Sequence, residues 1–482
     1  MAAIEADVRE SAEMRKAIAA AGVLGLAVTV GMFSVQAYAD RQLEQALDAW
    51  RAQLPEGTEL SYGRIEAEGR DGAVLHAVRF QTDQTPEPVT VRAKRLEIDD
   101  AAFEGDMLQS VGRFDFTEAT VVSGGSRMTI ATGRGRDVTL AEDYRVRSVG
   151  RARLNDLDVE DARGTSSAQK VTLRGLGEGR LERLEVQALG VAQRARGADR
   201  DGAVRRVLVD RIRVRDADID DLQRLHAKTD DPGLEALVTA VRGDGLRALQ
   251  FDGLEMIEQG RRIAALESMD LSVETPAEGP ITFKVDYRDG YSDVTHPDAG
   301  LSMMTLAALG YQEVRGDGGF TLSYHPEAGT FAIDRWEMDL RDVAQLNVTA
   351  QVVGIPLDGD LGARLEQDPQ ALQGEAALQA LTVRLENKGL ARRLAELRAQ
   401  QTDQSPEAVR QQQAQSIRQS LQEMQLPDAL GEAIARFVEQ DGTLTLTAEP
   451  SEPVTFEQIT QMAMDDPKLL SQSLNLQAVQ SD

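Results

Sequence analysis

The chain has 482 residues and a formal charge of −27, with 80 acidic side chains against 53 basic ones, 41% apolar residues, 4% aromatic residues and no cysteine. That length exceeds one hydrophobic core and predicts two or three globular units. The acidity argues against a nucleic-acid partner, and the absence of cysteine excludes disulfides, thiolate metal sites and cysteine nucleophiles while leaving the redox compartment open.

In chain order, the first element is the stretch 17–39, AIAAAGVLGLAVTVGMFSVQAYA, uncharged and without an ionisable acid or base apart from Tyr38. At about 1.5 Å per residue it spans roughly 35 Å, enough for a hydrocarbon core of about 30 Å. Arg15 and Lys16 precede it, so the positive-inside bias places residues 1–16 in the cytoplasm and the chain after Asp40 outside. The alternative is a cleaved signal peptide, because Ala37-Tyr38-Ala39 has the small-x-small form accepted before Asp40. Residues 40–56 follow as a stalk helix, with Leu43, Ala46, Leu47, Trp50 and Leu54 on one stripe and Pro55-Glu56-Gly57 as its stop.

From 57 to 295 short alternating runs replace the helical period, as in Val89-Thr90-Val91 and Ile281 to Tyr287, and closely spaced turn signals favour antiparallel hairpins over crossovers. A pattern of apolar, two polar, apolar, polar, apolar recurs at Leu154/Leu157/Val159, Leu181/Leu184/Val186, Val209/Ile212/Val214, Phe251/Leu254/Met256 and Leu266/Met269/Leu271, with Ala93/Leu96/Ile98 as a weaker copy. The last two positions share a face, whereas the three-residue step before them is out of phase with a flat strand and implies a bulge or corner. Repeated along successive strands, such corners curve a sheet into a trough. The inner-face candidates are Leu184, Val186, Ile212, Val214, Leu254, Met256, Met269 and Leu271. They read either as the wall of a ligand groove or as ordinary core.

Residues 220–242 interrupt the strands with two short helical patterns divided by Asp231-Pro232-Gly233, read as a lid or cap. A second β-block, 296–385, carries a helix near Leu301 to Leu309 and then period-two runs through Phe331, Trp336, Met338, Leu346 and Val348. The region 386–482 turns mostly helical and Gln-rich, with stripes Leu390/Leu394/Leu397 and Ile417/Leu421/Met424, a break at Pro427, a strand from Thr443 to Thr447 and a helix from about Thr455. The fold class is mainly β with α: an N-terminal membrane helix, a curved antiparallel sheet and a helical C-terminal region.

This order of features resembles the AsmA-like and YdgA-like proteins anchored in the inner membrane of Gram-negative bacteria. The likeness rests on the anchor, Ala49-Trp50-Arg51-Ala52, the run Leu60-Ser61-Tyr62-Gly63-Arg64-Ile65, strands such as Arg95-Leu96-Glu97-Ile98 and Leu184-Glu185-Val186, the stretch 381–390 and Gly442 to Leu446. None of these residues is catalytic. The resemblance implies a periplasmic β-groove with a part in envelope lipid handling or homeostasis. About 20 strands at roughly 4.8 Å would make a trough of about 95 Å, too short to bridge two membranes alone.

A search for catalytic, cofactor and metal motifs yields no residue to assign. His76, His226, His296 and His325 are scattered and no H-E-x-x-H occurs. Asp216 to Asp221 imitates a calcium loop but has Asp221 at the glycine position and Ala227 at the bidentate one. Ser167-Ala-Gln-Lys170 spells S-x-x-K in what reads as a polar turn, without partner motifs, and Gly175-Leu-Gly177-Glu-Gly179 lacks phosphate-loop spacing. The sequence therefore predicts a non-enzymatic, single-pass inner-membrane protein whose β-groove binds or shields phospholipid acyl chains, or alternatively a scaffold that binds an envelope protein partner. No cofactor and no nucleic acid enter either reading.

Overall fold

The computed structural model describes residues 57–68, 72–83, 88–104, 107–140, 146–162, 164–194, 204–218, 246–276, 279–297, 301–355 and 372–481. The segment 17–39, the stalk 40–56 and the whole insertion 220–242 lie outside them. Among the described residues no helix is long and apolar enough to cross a membrane. The chain divides into two units, Met1–His226 with Ala248–Arg262 and Ala227–Arg247 with Ile263–Asp482. That division falls inside the 57–295 stretch read as one groove. The described residues are mainly β, in hairpin-connected antiparallel strands, as the alternation and the turn spacing predict.

In the first unit, β1 (Thr58–Ser61) and β2 (Arg64–Glu68) both pair with β3 (Gly72–Thr82). Each later strand then pairs with its predecessor: β4 (Val89–Glu104), β5 (Met107–Ser123), β6 (Ser126–Leu140), β7 (Val146–Glu160), β8 (Gly164–Gly177), β9 (Arg180–Arg194) and β10 (Val204–Asp218). β11 (Leu246–Glu258) lies in this unit from Ala248 and meets β10 through the Arg213 to Gln250 hydrogen bond of 2.7 Å. Ser167 to Lys170 sits inside β8, in register with Gly190 to Gln187, not in a turn; Ala168 faces the core there and the polar residues alternate outward.

Each strand from β3 to β11 carries one left-handed residue in its interior: Ala77, Asp100, Glu118, Asp137, Asp156, Gly175, Ala188, Asp216 and Gly253. Pairing skips that residue and the one opposite, as at Ala77/Lys94, Glu118/Ala131, Asp156/Gln169 and Asp137/Gly150, without a change of register on either side. The skipped positions form two columns across the sheet, six residues apart along each strand, for example Lys94 and Asp100 on β4 or Gly150 and Asp156 on β7. Asp is among the few side chains tolerated with positive φ, and it fills four of the nine positions.

At each column the side-chain alternation slips by one. On β5 the buried residues run Val111, then Phe114 and Phe116, then Ala119 and Val121. The three-residue steps seen in the sequence are these corners: Leu154 to Leu157 spans Asp156, Phe251 to Leu254 spans Gly253, and Val209 to Ile212 spans Asp210, which faces Ala188. The apolar side is closed to solvent, with Leu75, Ile98 and Val111 at 0% exposure. Phe114 and Phe116 stack 6.3 Å apart over Gly135 and Gly133, where a Cβ would come within 2.1 Å of either ring.

In the second unit β12 (Arg261–Glu274, in this unit from Ile263), β13 (Ile281–Asp293), β14 (Glu313–His325), β15 (Thr330–Leu340), β16 (Ala344–Val353), β17 (Ala377–Asn387) and β18 (Gly442–Ala448) pair in sequence, with β19 (Val454–Thr455) on β17 and β20 (Leu476–Ser481) on β18. The helices are α1 (Leu301–Ala308), α2 (Leu390–Thr402), α3 (Pro406–Glu423), α4 (Asp428–Gln440), α5 (Phe456–Asp465) and α6 (Pro467–Ser473). Met303 and Leu306 of α1, with Leu390 and Leu397 of α2, pack on Val314, Leu340 and Val343. Leu394, placed on the same stripe by the sequence, is exposed, and α2 instead buries Ala395 and Ala399 against Val409 of α3. Phe437 of α4 covers Leu444, Leu385 and Leu446, while Ile459 and Met462 of α5 and Leu470 of α6 pack on Leu378, Leu381 and Val352.

Candidate functional site

The eight inner-face candidates separate into two groups. Ile212 pairs with Val186 and Val214 with Leu184 across β9 and β10, all four buried, with Ile212 at 4% exposure. On β11, Met256 is buried at 2% and Leu254 is half-buried. Met269 and Leu271 belong to the second unit, where they face Tyr287 and Val285. In the first unit five of the six candidates are therefore buried, Leu254 being half-buried, and the neighbours Glu185 and Arg213 take the opposite face as predicted, directly paired with each other. Glu185 accepts a 2.6 Å hydrogen bond from Gln187; that bond and the nearby Arg183, Arg213 and Arg211 overcome partial burial and hold its carboxyl below the usual range.

An accessible apolar row lies in the second unit, apart from the exposed Val122, Val204 and Leu208 of the first. Register aligns Leu271, Val285, Phe320, Trp336, Val348 and Val383 side by side from β12 to β17. A bulge in β15 at Asp334 and Arg335 keeps Ile333 and Trp336 on that same face. Phe283 and Phe320 pack at 5.4 Å near one end of the row, but Trp336 is 46% exposed at its middle, and Leu271, Val285, Phe320, Val348 and Val383 are all half-buried. A large aromatic ring standing open within an aliphatic sheet face marks an interaction surface more specifically than a single exposed leucine does. The opposite face is polar: Asp286 takes hydrogen bonds from Lys284, at 2.9 Å, and from Arg335. Burial would raise the Asp286 carboxyl, and those two bonds overcome it and leave it below its ordinary value.

Sequence reading named Met269 and Leu271 on this face and missed Trp336 as its centre. Its signal was present in the period-two runs of β14 to β17, but periodicity identifies a face without saying whether anything covers it. Among the described residues no group of three or more His, Asp or Glu could hold a metal ion. His76 lies 3.8 Å from Glu66, His296 and His325 are in the second unit, and His226 lies outside the described residues.

Residues 337–481 match a family profile described as "Uncharacterized protein", a span that starts in β15 and runs through β20. No curated protein sequence matches the chain. No solved structure matches it either.

Proposed function

We propose that the protein is a non-enzymatic, membrane-anchored envelope protein that shields phospholipid acyl chains, and that the shielding surface is the apolar face of β12 to β17. The observation that carries this reading is Trp336, 46% exposed in a row of half-buried Val, Leu and Phe side chains. An acyl chain laid across the row would bury Trp336, Val348 and Val383 at about 25 cal/mol per Å², and aliphatic walls accept a flexible chain in many conformations. The resemblance to AsmA-like and YdgA-like proteins and the uncharged segment 17–39 support the membrane setting. The first unit contributes a filled interior, so the groove proposed from the sequence is confined to the second.

The test uses the full chain, whose two tryptophans are Trp50 and Trp336. In a Trp50→Phe background, phospholipid brominated along its acyl chains should quench Trp336, and native mass spectrometry in mild detergent should show bound phospholipid that Val348→Asp removes. No quenching and no lipid in the parent would defeat this reading. A second reading, a scaffold for a protein partner, draws on the closed interior of the first unit, where Leu75, Ile98 and Val111 are fully shielded from solvent; it predicts a co-purifying envelope protein and no lipid.

A further inference from the structure

The polar face of the first unit carries an unbroken file of arginines. Between the two columns of corners, register places Arg113, Arg136, Arg151, Arg174, Arg183 and Arg215 directly opposite one another on six successive strands, β5 to β10. All six are exposed. At about 4.8 Å per strand the file is roughly 24 Å long. The next row on the same face adds Arg134, Arg153 and Arg213.

Like charges directly opposite on a sheet destabilise it, yet this occurs in a chain whose acids outnumber its bases by 80 to 53. Carboxylates answer some of the charge: Asp115 lies 2.6 Å from Arg113, and Glu182 lies 3.4 Å from Arg174. Acids also stand in the corner columns, at Asp137, Asp156 and Asp216 among others. Arg136, Arg151, Arg153 and Arg215 nonetheless have no carboxylate within 4.0 Å among the described residues. On β6 to β8 the three rows hold Thr132, Arg134, Arg136, Arg151, Arg153, Asn155, Lys170, Thr172 and Arg174, six cations with three hydrogen-bonding neutral side chains and no acid.

We infer that this face docks on the phosphate headgroups of an anionic phospholipid surface. Charge complementarity is the first reason, because guanidinium groups bind phosphate bidentately and each cation near an anionic leaflet adds about 1 kcal/mol. The second is the form of the array, rows and strands repeating in two dimensions, which suits a layer of headgroups better than one linear polymer. The third is composition: the rows contain no aromatic ring on which a nucleic-acid base could stack, and no apolar group that would enter the hydrocarbon. This inference concerns the first unit alone and stands whether or not acyl chains lie on β12 to β17.

The full chain is held in phosphatidylcholine nanodiscs, so that any hydrophobic anchor is already occupied, and floated with vesicles of phosphatidylcholine alone or with one-third phosphatidylglycerol. Phosphatidylglycerol should recruit the parent, with a loss of at least about tenfold between 50 and 200 mM salt. Arg136→Glu/Arg151→Glu/Arg174→Glu should abolish that recruitment, while Arg79→Glu/Arg92→Glu/Arg127→Glu, the same charge change at exposed sites beyond the corner, should keep most of it. If the first triple variant unfolds by its thermal melt, the Gln triple variant replaces it, with the Lys triple variant expected to restore binding. Absent recruitment by phosphatidylglycerol, or equal loss in both Glu variants, overturns the proposal. So does tighter binding of a single-stranded oligonucleotide than of the vesicles. Loss of Trp336 quenching with vesicle recruitment intact would remove the acyl-chain reading and leave this one.

Discussion

Replacing Ile212 with Asp separates a filled interior from an open groove. Ile212 is 4% exposed on β10 and pairs with Val186. Removing its side chain from the core costs about 2 to 3 kcal/mol of transfer free energy. The introduced carboxyl must then ionise in an apolar site or stay protonated, and a rise of about 3 pK units adds roughly 4 kcal/mol at neutral pH. The sum, about 6 kcal/mol, rivals the whole stability of a typical domain. Because the carboxyl's folded pKa is raised, the penalty should shrink as pH falls toward its unfolded value near 4. The same change at Leu271, half-buried on β12, loses only part of the transfer term and lets water reach the charge, for about 1 to 2 kcal/mol. Urea unfolding followed by hydrogen exchange, which resolves the two units separately, measures both. An Ile212→Asp cost within about 1 kcal/mol of the Leu271→Asp cost would refute a closed first unit.

Three further outcomes follow from the corners, the glycines and the helices. At Asp156, with φ near 50°, Val should cost about 1 to 2 kcal/mol while Gly stays within about 0.5, read by thermal melting; equal costs would mean the corner does not depend on its left-handed residue. Gly133→Ala puts a Cβ 2.1 Å from the Phe116 ring, and chemical denaturation should show about 1 to 3 kcal/mol of overpacking, relieved by Phe116→Leu in the double variant. Arg418 donates to Glu432 at 2.9 Å and to Glu439 at 3.0 Å, and its hydrogen bond, with that from Arg436, pulls the Glu432 carboxyl down from 4.5 to about 2. A depressed carboxylate gives stability that is present above its unfolded pKa and lost as pH falls through the folded one, so protection of α3 and α4 should fall between about pH 4.5 and 2 in the parent and fall less in Arg418→Ala, where Arg436 alone still holds Glu432.

Most of this architecture was legible because the corners leave a mark on the sequence. A left-handed residue shifts the alternation by one, so Leu154/Leu157/Val159 shows a three-residue step where a flat strand would show only steps of two. Alternation predicts a strand over Thr443 to Thr447, and it is found as Gly442–Ala448; the helix expected near Thr455 begins at Phe456, fixed by a capping box of Thr455 and Gln458. What sequence could not supply is how faces are covered. Leu184 and Leu271 have the same local pattern, yet one is buried and the other half-buried, because burial is decided by elements far away in the chain. The arginine file was hidden for a related reason: Arg136, Arg151 and Arg174 are neighbours only through antiparallel register, and each alone looks like an ordinary solvated charge.

The corners also explain why the charged file and the filled core occur in the same unit. Between its two columns each strand has room for three outward and two inward side chains, as on β10, where Arg211, Arg213 and Arg215 alternate with Ile212 and Val214. Burial holds the two inward positions apolar, as Phe114 and Phe116 over Gly135 and Gly133 on β5 and β6 or as Ile212 and Val214 on β10, so charged side chains are tolerated only at the outward three. Stability places no demand for arginine there; Thr132, Asn155 and Thr172 occupy equivalent sites. Carboxylates on the sheet answer Arg113, Arg174 and Arg183, whereas Arg136, Arg151 and Arg215 stand in the same like-charge register without one, and the vesicle experiment tests whether an anion outside the sheet offsets that cost.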